Sequence, residues 1–147
     1  MLIADGTSLA DSAQPLGAPL SSIIEFGDQY NGGDELYDAK ITVMQVVRGE
    51  KAWDLVKRAD AANALPKNGY EYLLARVHFD FAARTSPSHY NYTIAARQFV
   101  ATMADGSPYD SPVLASSVQP ALSATLKPGD SAEGWVVFVV PRSDRGR

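Results

Sequence analysis

Two stretches dominate the pattern of apolar and polar positions. Trp135 to Val140 is apolar at every position, so Trp135, Val137 and Val139 point to one face of a strand and Val136, Phe138 and Val140 to the other. Such a strand needs cover on both sides. The run is too short to span a membrane, its β-branched content favours strand over helix, and Pro141 ends the ladder by removing a donor. Upstream, Lys127-Pro128-Gly129-Asp130 matches a type II turn, with Pro128 presetting φ and Gly129 supplying the positive φ at the third position. Two strands are expected to meet there, the first formed by Leu122, Ala124 and Leu126. In Tyr70 to Phe81, Leu73, Ala75, Val77, Phe79 and Phe81 alternate with Tyr72, Leu74, Arg76, His78 and Asp80, and the first set is read as core.

The remaining elements follow in chain order. Residues 1–20 mix Ala, Ser, Gly, Asp and Pro without a sustained period, which predicts a flexible linker. Ile23 to Gly27 is a short strand, and Asp28 to Asp34 a turn cluster with Asn31-Gly32 as its hairpin signal. Tyr37, Ala39, Ile41, Val43, Gln45 and Val47 then form the apolar face of a long, half-buried strand. The period changes over Glu50 to Asn63, where Ala52, Val56, Ala59 and Asn63 fall on one helical stripe beside Trp53 and Leu55. This helix is expected to cross over between strands that are not neighbours. Ala82 to Asn91 reads as a loop, Tyr92 to Ile94 as a short strand and Arg97 to Ala104 as another, closed by Asp105-Gly106. Most of Ser107 to Pro120, rich in proline and serine, reads as a surface loop or ragged edge.

About seven strands with one crossover helix give an all-β chain, an immunoglobulin-like antiparallel β-sandwich over residues 21–141 with a frayed tail over 142–147. The chain's 147 residues suit one domain, which at that size buries roughly 70% of its unfolded surface. There is no cysteine, which removes thiol chemistry and cysteine-ligated metal. The net charge of −4 without a basic cluster argues against a nucleic-acid partner.

Candidate chemistry is sparse. His78 and His89 are the only imidazoles and share no metal-ligand spacing with other residues, so His78 is assigned to a sheet surface and His89 to solvent. Asp28, Asn31, Asp34, Glu35 and Asp38 surround a Gly-Gly turn; weak calcium binding is the sharper reading and turn chemistry the preferred one. No serine lies in a Gly-x-Ser-x-Gly elbow. Tyr70, Tyr72, Tyr90, Tyr92 and Tyr109 fall at strand ends and loops, where tyrosine serves either an interface or ordinary sheet packing. No catalytic, cofactor-binding or metal-ligating residue is assigned, no cofactor is expected, and ligand-binding residues are unassigned.

The strand-helix-strand run Val43 to Phe81 with its Arg48-Gly49-Glu50-Lys51-Ala52-Trp53 entry and Gly69-Tyr70-Glu71-Tyr72 exit, the Asp105-Gly106 pair, and the closing Leu126 to Pro141 segment together carry a resemblance. They resemble the telokin-like, immunoglobulin-fold domains of unknown function of bacterial secreted proteins and lipoproteins, related in fold to a mycobacterial immunoprotective antigen. The resemblance implies a sandwich at the outer face of a membrane, behind a lipid-bearing cysteine and a low-complexity linker, and no catalytic residues. Neither a signal nor such a cysteine is in this sequence. The expectation is therefore a non-catalytic extracytoplasmic module for protein-protein interaction or binding, not an enzyme. Its partner would be an unknown protein or cell-envelope component, with membrane association only through a lipid anchor. A small hydrolase-type enzyme and a purely structural spacer are the alternatives.

Overall fold

A computed structural model describes residues 2–4, 17–26, 35–85, 88–102, 106–109 and 112–142. Among these residues lie eight strands: β1 Leu2–Ala4, β2 Pro19–Phe26, β3 Glu35–Arg48, β4 Tyr70–Ala83, β5 Tyr92–Ala95, β6 Phe99–Ala101, β7 Ser123–Leu126 and β8 Ser131–Pro141, with one α-helix, α1, over Gly49–Ala59. The long strands form a four-stranded sheet in the order β2-β3-β4-β8, and two small pairs, β5-β7 and β1-β6, complete an all-β sandwich. All named strand pairs are antiparallel.

One face of the large sheet carries the main core. Tyr37, Ala39 and Ile41 of β3, Ala75, Val77, Phe79 and Phe81 of β4 and Val136, Phe138 and Val140 of β8 pack against Ile94, Phe99, Leu122 and Leu126 of the opposing layer. Among the described residues the opposite face is covered near one end, where Ala52 and Val56 of α1 meet Tyr72, Leu74, Trp135 and Val118. Trp135 and Phe138 are therefore both buried on opposite faces of one strand, as the unbroken apolar run requires. The polar set of β4 divides accordingly. Tyr72 and Leu74 lie under the helix, while Arg76, His78 and Asp80 remain half-buried on the uncovered part.

The closing turn forms as expected: the Asp130 N–H donates to the Lys127 carbonyl at 2.9 Å, the Asp130 carboxylate accepts from the Lys127 N–H, and Gly129 has φ 97°. It is not a hairpin. β7 pairs with β5 and β8 with β4, so the turn carries the chain from one layer to the other and docks on the end of β4 through the Gly129 N–H to the Phe81 carbonyl at 2.7 Å. Gly134, the one gap in side chains along the closing strand, is explained by a close approach. A Cβ there would stand 2.5 Å from the backbone of Ala121 and Leu122, the segment that drops Leu122 into the core.

Several boundaries differ from the sequence reading. β2 and β3 pair from Pro19↔Thr42 to Phe26↔Glu35, consistent with the hairpin signal, but the Asp28–Asp34 turn itself lies outside the described residues. Residues 1–20, read as a linker, contribute β1, paired with β6, and the first two residues of β2. In β3 the ladder slips between Val43 and Gln45. This bulge at Met44 reverses the alternation, so Val47 turns to the helix side opposite Leu74 and Val46 opposite Ala75, against the uninterrupted period 2 assumed from sequence. Arg97 and Gln98, expected as the start of a strand, belong to a 3₁₀ turn over Ala96–Gln98.

The helix is shorter than Glu50 to Asn63 and is not a crossover between distant strands. α1 joins β3 and β4, which are antiparallel neighbours, and a return segment over 60–69 brings the chain back to the same end. Asn63 is buried all the same, and its role is a hydrogen-bond hub. Its Nδ2 donates to the carbonyls of Val56 at 2.9 Å and Ser116 at 3.0 Å, and its Oδ1 accepts from the N–H groups of Ala115 and Ser116. Ser116 also donates through Oγ to Asp60 at 2.7 Å. The proline- and serine-rich stretch is thus a strap laid across the helix, with Val118 buried and Leu114 half-buried beneath it, rather than a free surface loop.

Phe138→Ala empties a site surrounded by three packed elements and is expected to cost about 3–5 kcal/mol in equilibrium denaturation. Asn63→Ala leaves the strap's N–H groups unpaired. It is expected to cost about 1–3 kcal/mol and to raise hydrogen exchange at Ala115 and Ser116 well above that of β4.

Candidate functional site

An open cleft of about 800 Å³ with mixed chemistry lies at the end of the sheet, where β3 runs into α1. Arg48, the last residue of β3, precedes the helix in extended conformation and makes no side-chain cap to it. Its guanidinium is engaged elsewhere: Nε donates to the Glu71 carboxylate at 3.2 Å. Glu71 is only 2% exposed, so the pair contributes to compensating a buried carboxylate. Gly49 follows with φ 68°, a conformation that lets the chain turn from strand into helix.

The aromatic wall is built by α1 and β4. Trp53 stacks on Tyr72 with centroids 6.1 Å apart and planes within 10°. The Tyr72 hydroxyl donates to the Ala64 carbonyl at 2.7 Å, which holds the return segment, with Leu65 and Pro66, as the opposite lip. Burial raises the Tyr72 pKa and keeps the phenol neutral as a donor. Arg142 closes the cleft, its N–H bonded to the Gly69 carbonyl at 2.9 Å and its Nε to the Tyr70 carbonyl at 3.3 Å. Lys51 and Glu50 stand at the mouth. The result is a half-buried indole beside three cations, with Glu50 and Glu71 as the acidic groups. Such a surface can hold an apolar or aromatic group against Trp53 and an anionic group against Lys51 and Arg142. Trp53 thus neither plugs the core fully nor stands free.

The sequence-selected residues lie elsewhere. His78 sits on the uncovered sheet face between Glu133 and Asp80, each 3.1 Å from one ring nitrogen, and Arg76 joins the same group through Glu133 at 2.6 Å. Arg76 and His78 hold the Glu133 pKa below the usual carboxylate range. His89 is exposed, with Nδ1 2.7 Å from Glu35. Asp38 pairs with Arg84, so the two described members of the acidic cluster are already engaged, while Asp28, Asn31 and Asp34 lie outside the described residues. No group of three or more metal-ligating side chains forms among the described residues. Tyr90 stacks on Phe26 at 4.8 Å and Tyr92 on Phe79 at 5.4 Å, and Tyr109 packs against the core, so these tyrosines serve the sandwich. Of the tyrosines weighed, Tyr72 lines the cleft. Arg48, Glu71 and Arg142 escaped the sequence reading, although Arg48 and Glu71 stand in its entry and exit motifs.

Glu35 is the most perturbed described carboxylate. The Tyr37 hydroxyl, donating at 2.6 Å, lowers its pKa to about 2 against opposing desolvation, with further lowering by the N–H and ring of His89. A carboxylate depressed from 4.5 to about 2 on folding contributes stability that is fully present above its unfolded value and is lost as pH falls through the folded one. The stability difference between the native protein and Glu35→Gln is therefore expected to be constant at neutral pH and to shrink steadily from about pH 4.5 towards pH 2, measured by urea unfolding across that range.

No curated protein and no solved structure matches the chain. A family model described as a domain of unknown function, DUF4352, matches residues 34–146. The match runs from the start of β3 through the helix, both cores and the closing strand. The chain belongs to this DUF4352 family.

Proposed function

We propose that the protein is a non-catalytic binding or interaction module working outside the cytoplasm, with the cleft beside α1 as its contact site. The observation that carries this reading is the pairing of the Trp53–Tyr72 stack with Lys51 and Arg142 at the rim of one open cleft. An accessible aromatic next to long cationic side chains suits recognition of a partner segment. A hydrolase would bring an imidazole to a nucleophile in such a cleft; here the imidazoles are tied to Glu133, Asp80 and Glu35, and neither lines it. A spacer would have no use for a half-buried tryptophan at an open site.

The extracytoplasmic placement and the telokin-like, immunoglobulin-like kinship rest on the resemblance of the Arg48 to Trp53, Gly69 to Tyr72 and Leu126 to Pro141 segments, with which the sandwich agrees. In that setting the partner is a protein or a component of the cell envelope.

The test is capture of partners from solubilised envelope by the protein, by Trp53→Ala and by the double variant Lys51→Glu, Arg142→Glu. The double variant alters surface charge and is expected to unfold at nearly the native temperature while losing the captured partner. Trp53→Ala is expected to cost about 1–3 kcal/mol, because the residue is only half-buried, and to lose the same partner. Equal capture by all three proteins contradicts the assignment of the cleft.

A further inference from the structure

The alternation of hydrogen bonds in the large sheet leaves part of one edge open. Gly129 and Asp130 bond to the main chain of Phe81, and Arg142 bonds to Gly69. With the register Val77↔Gly134 and Ala75↔Val136, the even-numbered residues of β8 direct their N–H and C=O groups at β4. The odd-numbered ones face away from the sheet. Trp135 shows this directly: its N–H donates to the Pro120 carbonyl at 2.8 Å and its carbonyl accepts from Leu122 at 3.3 Å, across a parallel bridge to Ala121. After that single bridge the neighbouring segment leaves to become β7. The outward N–H and C=O groups of Val137 and Val139 then meet no hydrogen-bond partner among the described residues.

A groove of about 310 Å³, lined by apolar side chains together with polar groups such as Arg97 and Ser117, lies beside Trp135 to Phe138 and reaches Val137. Phe99, Val136 and Phe138 form its wall towards the main core, and Leu114, Val118 and Val137 its wall beneath the strap. The other edge of the sheet, β2, starts with Pro19, which has no N–H. Among the described residues no such feature stands at Val137 and Val139, and access to them is limited by the recess between the strap and β6.

We infer that this edge of β8 is a β-augmentation site, taking one extended strand of a partner protein with apolar side chains at successive positions. Two pairs of main-chain groups, roughly 6.8 Å apart along the strand, supply four hydrogen bonds, and the two walls receive side chains that alternate between faces. The groove is recessed between the strap and β6, which admits a single extended chain. A second copy of the molecule would have to bring its own β8 out from behind its own strap. This surface is separate from the cleft beside α1, so the two readings fail separately.

The probe is a synthetic heptapeptide, acetyl-Lys-Val-Leu-Val-Leu-Val-Lys-amide, with a control of the same sequence N-methylated at alternate residues. The peptide is added to the full chain and amide hydrogen exchange is followed residue by residue. In the free protein the Val137 and Val139 amides are expected to exchange at least tenfold faster than those of Val136 and Phe138. The peptide is expected to slow Val137 and Val139 by tenfold or more, and the N-methylated control to leave them unchanged with the protein itself unaltered. Three results overturn the inference. One is no protection, or protection equal with both peptides. Another is slow exchange of Val137 and Val139 in the free protein at every concentration, which places a segment of the same chain on the edge. The last is protection that grows with protein concentration alone, which makes the occupant a second copy.

Discussion

The pairing of β4 with β8 is the contact on which the rest of the molecule depends. Both strands carry apolar side chains on two faces, and each face demands a different cover. On one side Phe79, Phe81, Val136 and Phe138 call for a second layer, which β5, β6 and β7 supply with Ile94, Phe99 and Leu126. On the other, Tyr72, Leu74 and Trp135 call for the helix. A helix of eleven residues is too short to hold its shape alone in water, so α1 exists because Ala52 and Val56 reach this second apolar patch. Burial of the patch is also what keeps the helix beside the sheet end where Arg48, Glu71 and Arg142 gather.

The same constraint explains where polar groups were placed. The helix covers only part of its face, and beyond its end β4 and β8 turn polar, with Arg76, His78, Asp80 and Glu133 joined in one hydrogen-bonded group. The strap over the helix has little apolar content of its own and is fixed by Asn63 and Asp60 instead. A buried asparagine with both ends of its amide satisfied ties the loop with directional bonds where packing alone would leave it loose.

Periodicity made the sheet legible. The two-faced run from Trp135 to Val140, the alternation of β4 and the Pro128-Gly129 turn each predicted a local feature that the structure contains. What escaped depended on relations between segments. The bulge at Met44 has no signature within its own strand and shows only in the register with β4. That the closing turn joins two layers depends on which strand β7 chooses as partner. Leu114 and Val118 look like loop residues until a helix lies beneath them. The cleft was illegible for the same reason: Arg48 and Glu71 are 23 positions apart, and nothing short of the strand register brings them together. The masking of chemistry by packing also ran the other way, since most of the tyrosines that stood out in the sequence are structural.

If the doubly covered β4–β8 pair is the centre of the fold, it must be the last part of the molecule to open. Native-state hydrogen exchange under increasing denaturant measures this most directly. The account predicts that the amides of Ala75, Val77, Val136 and Phe138 exchange only through global unfolding, while those of β2, β5 and α1 open at lower free energy. A structure in which α1 or the β5-β7 pair is as resistant as β4 and β8, or in which Val136 and Phe138 exchange through local opening, would contradict it.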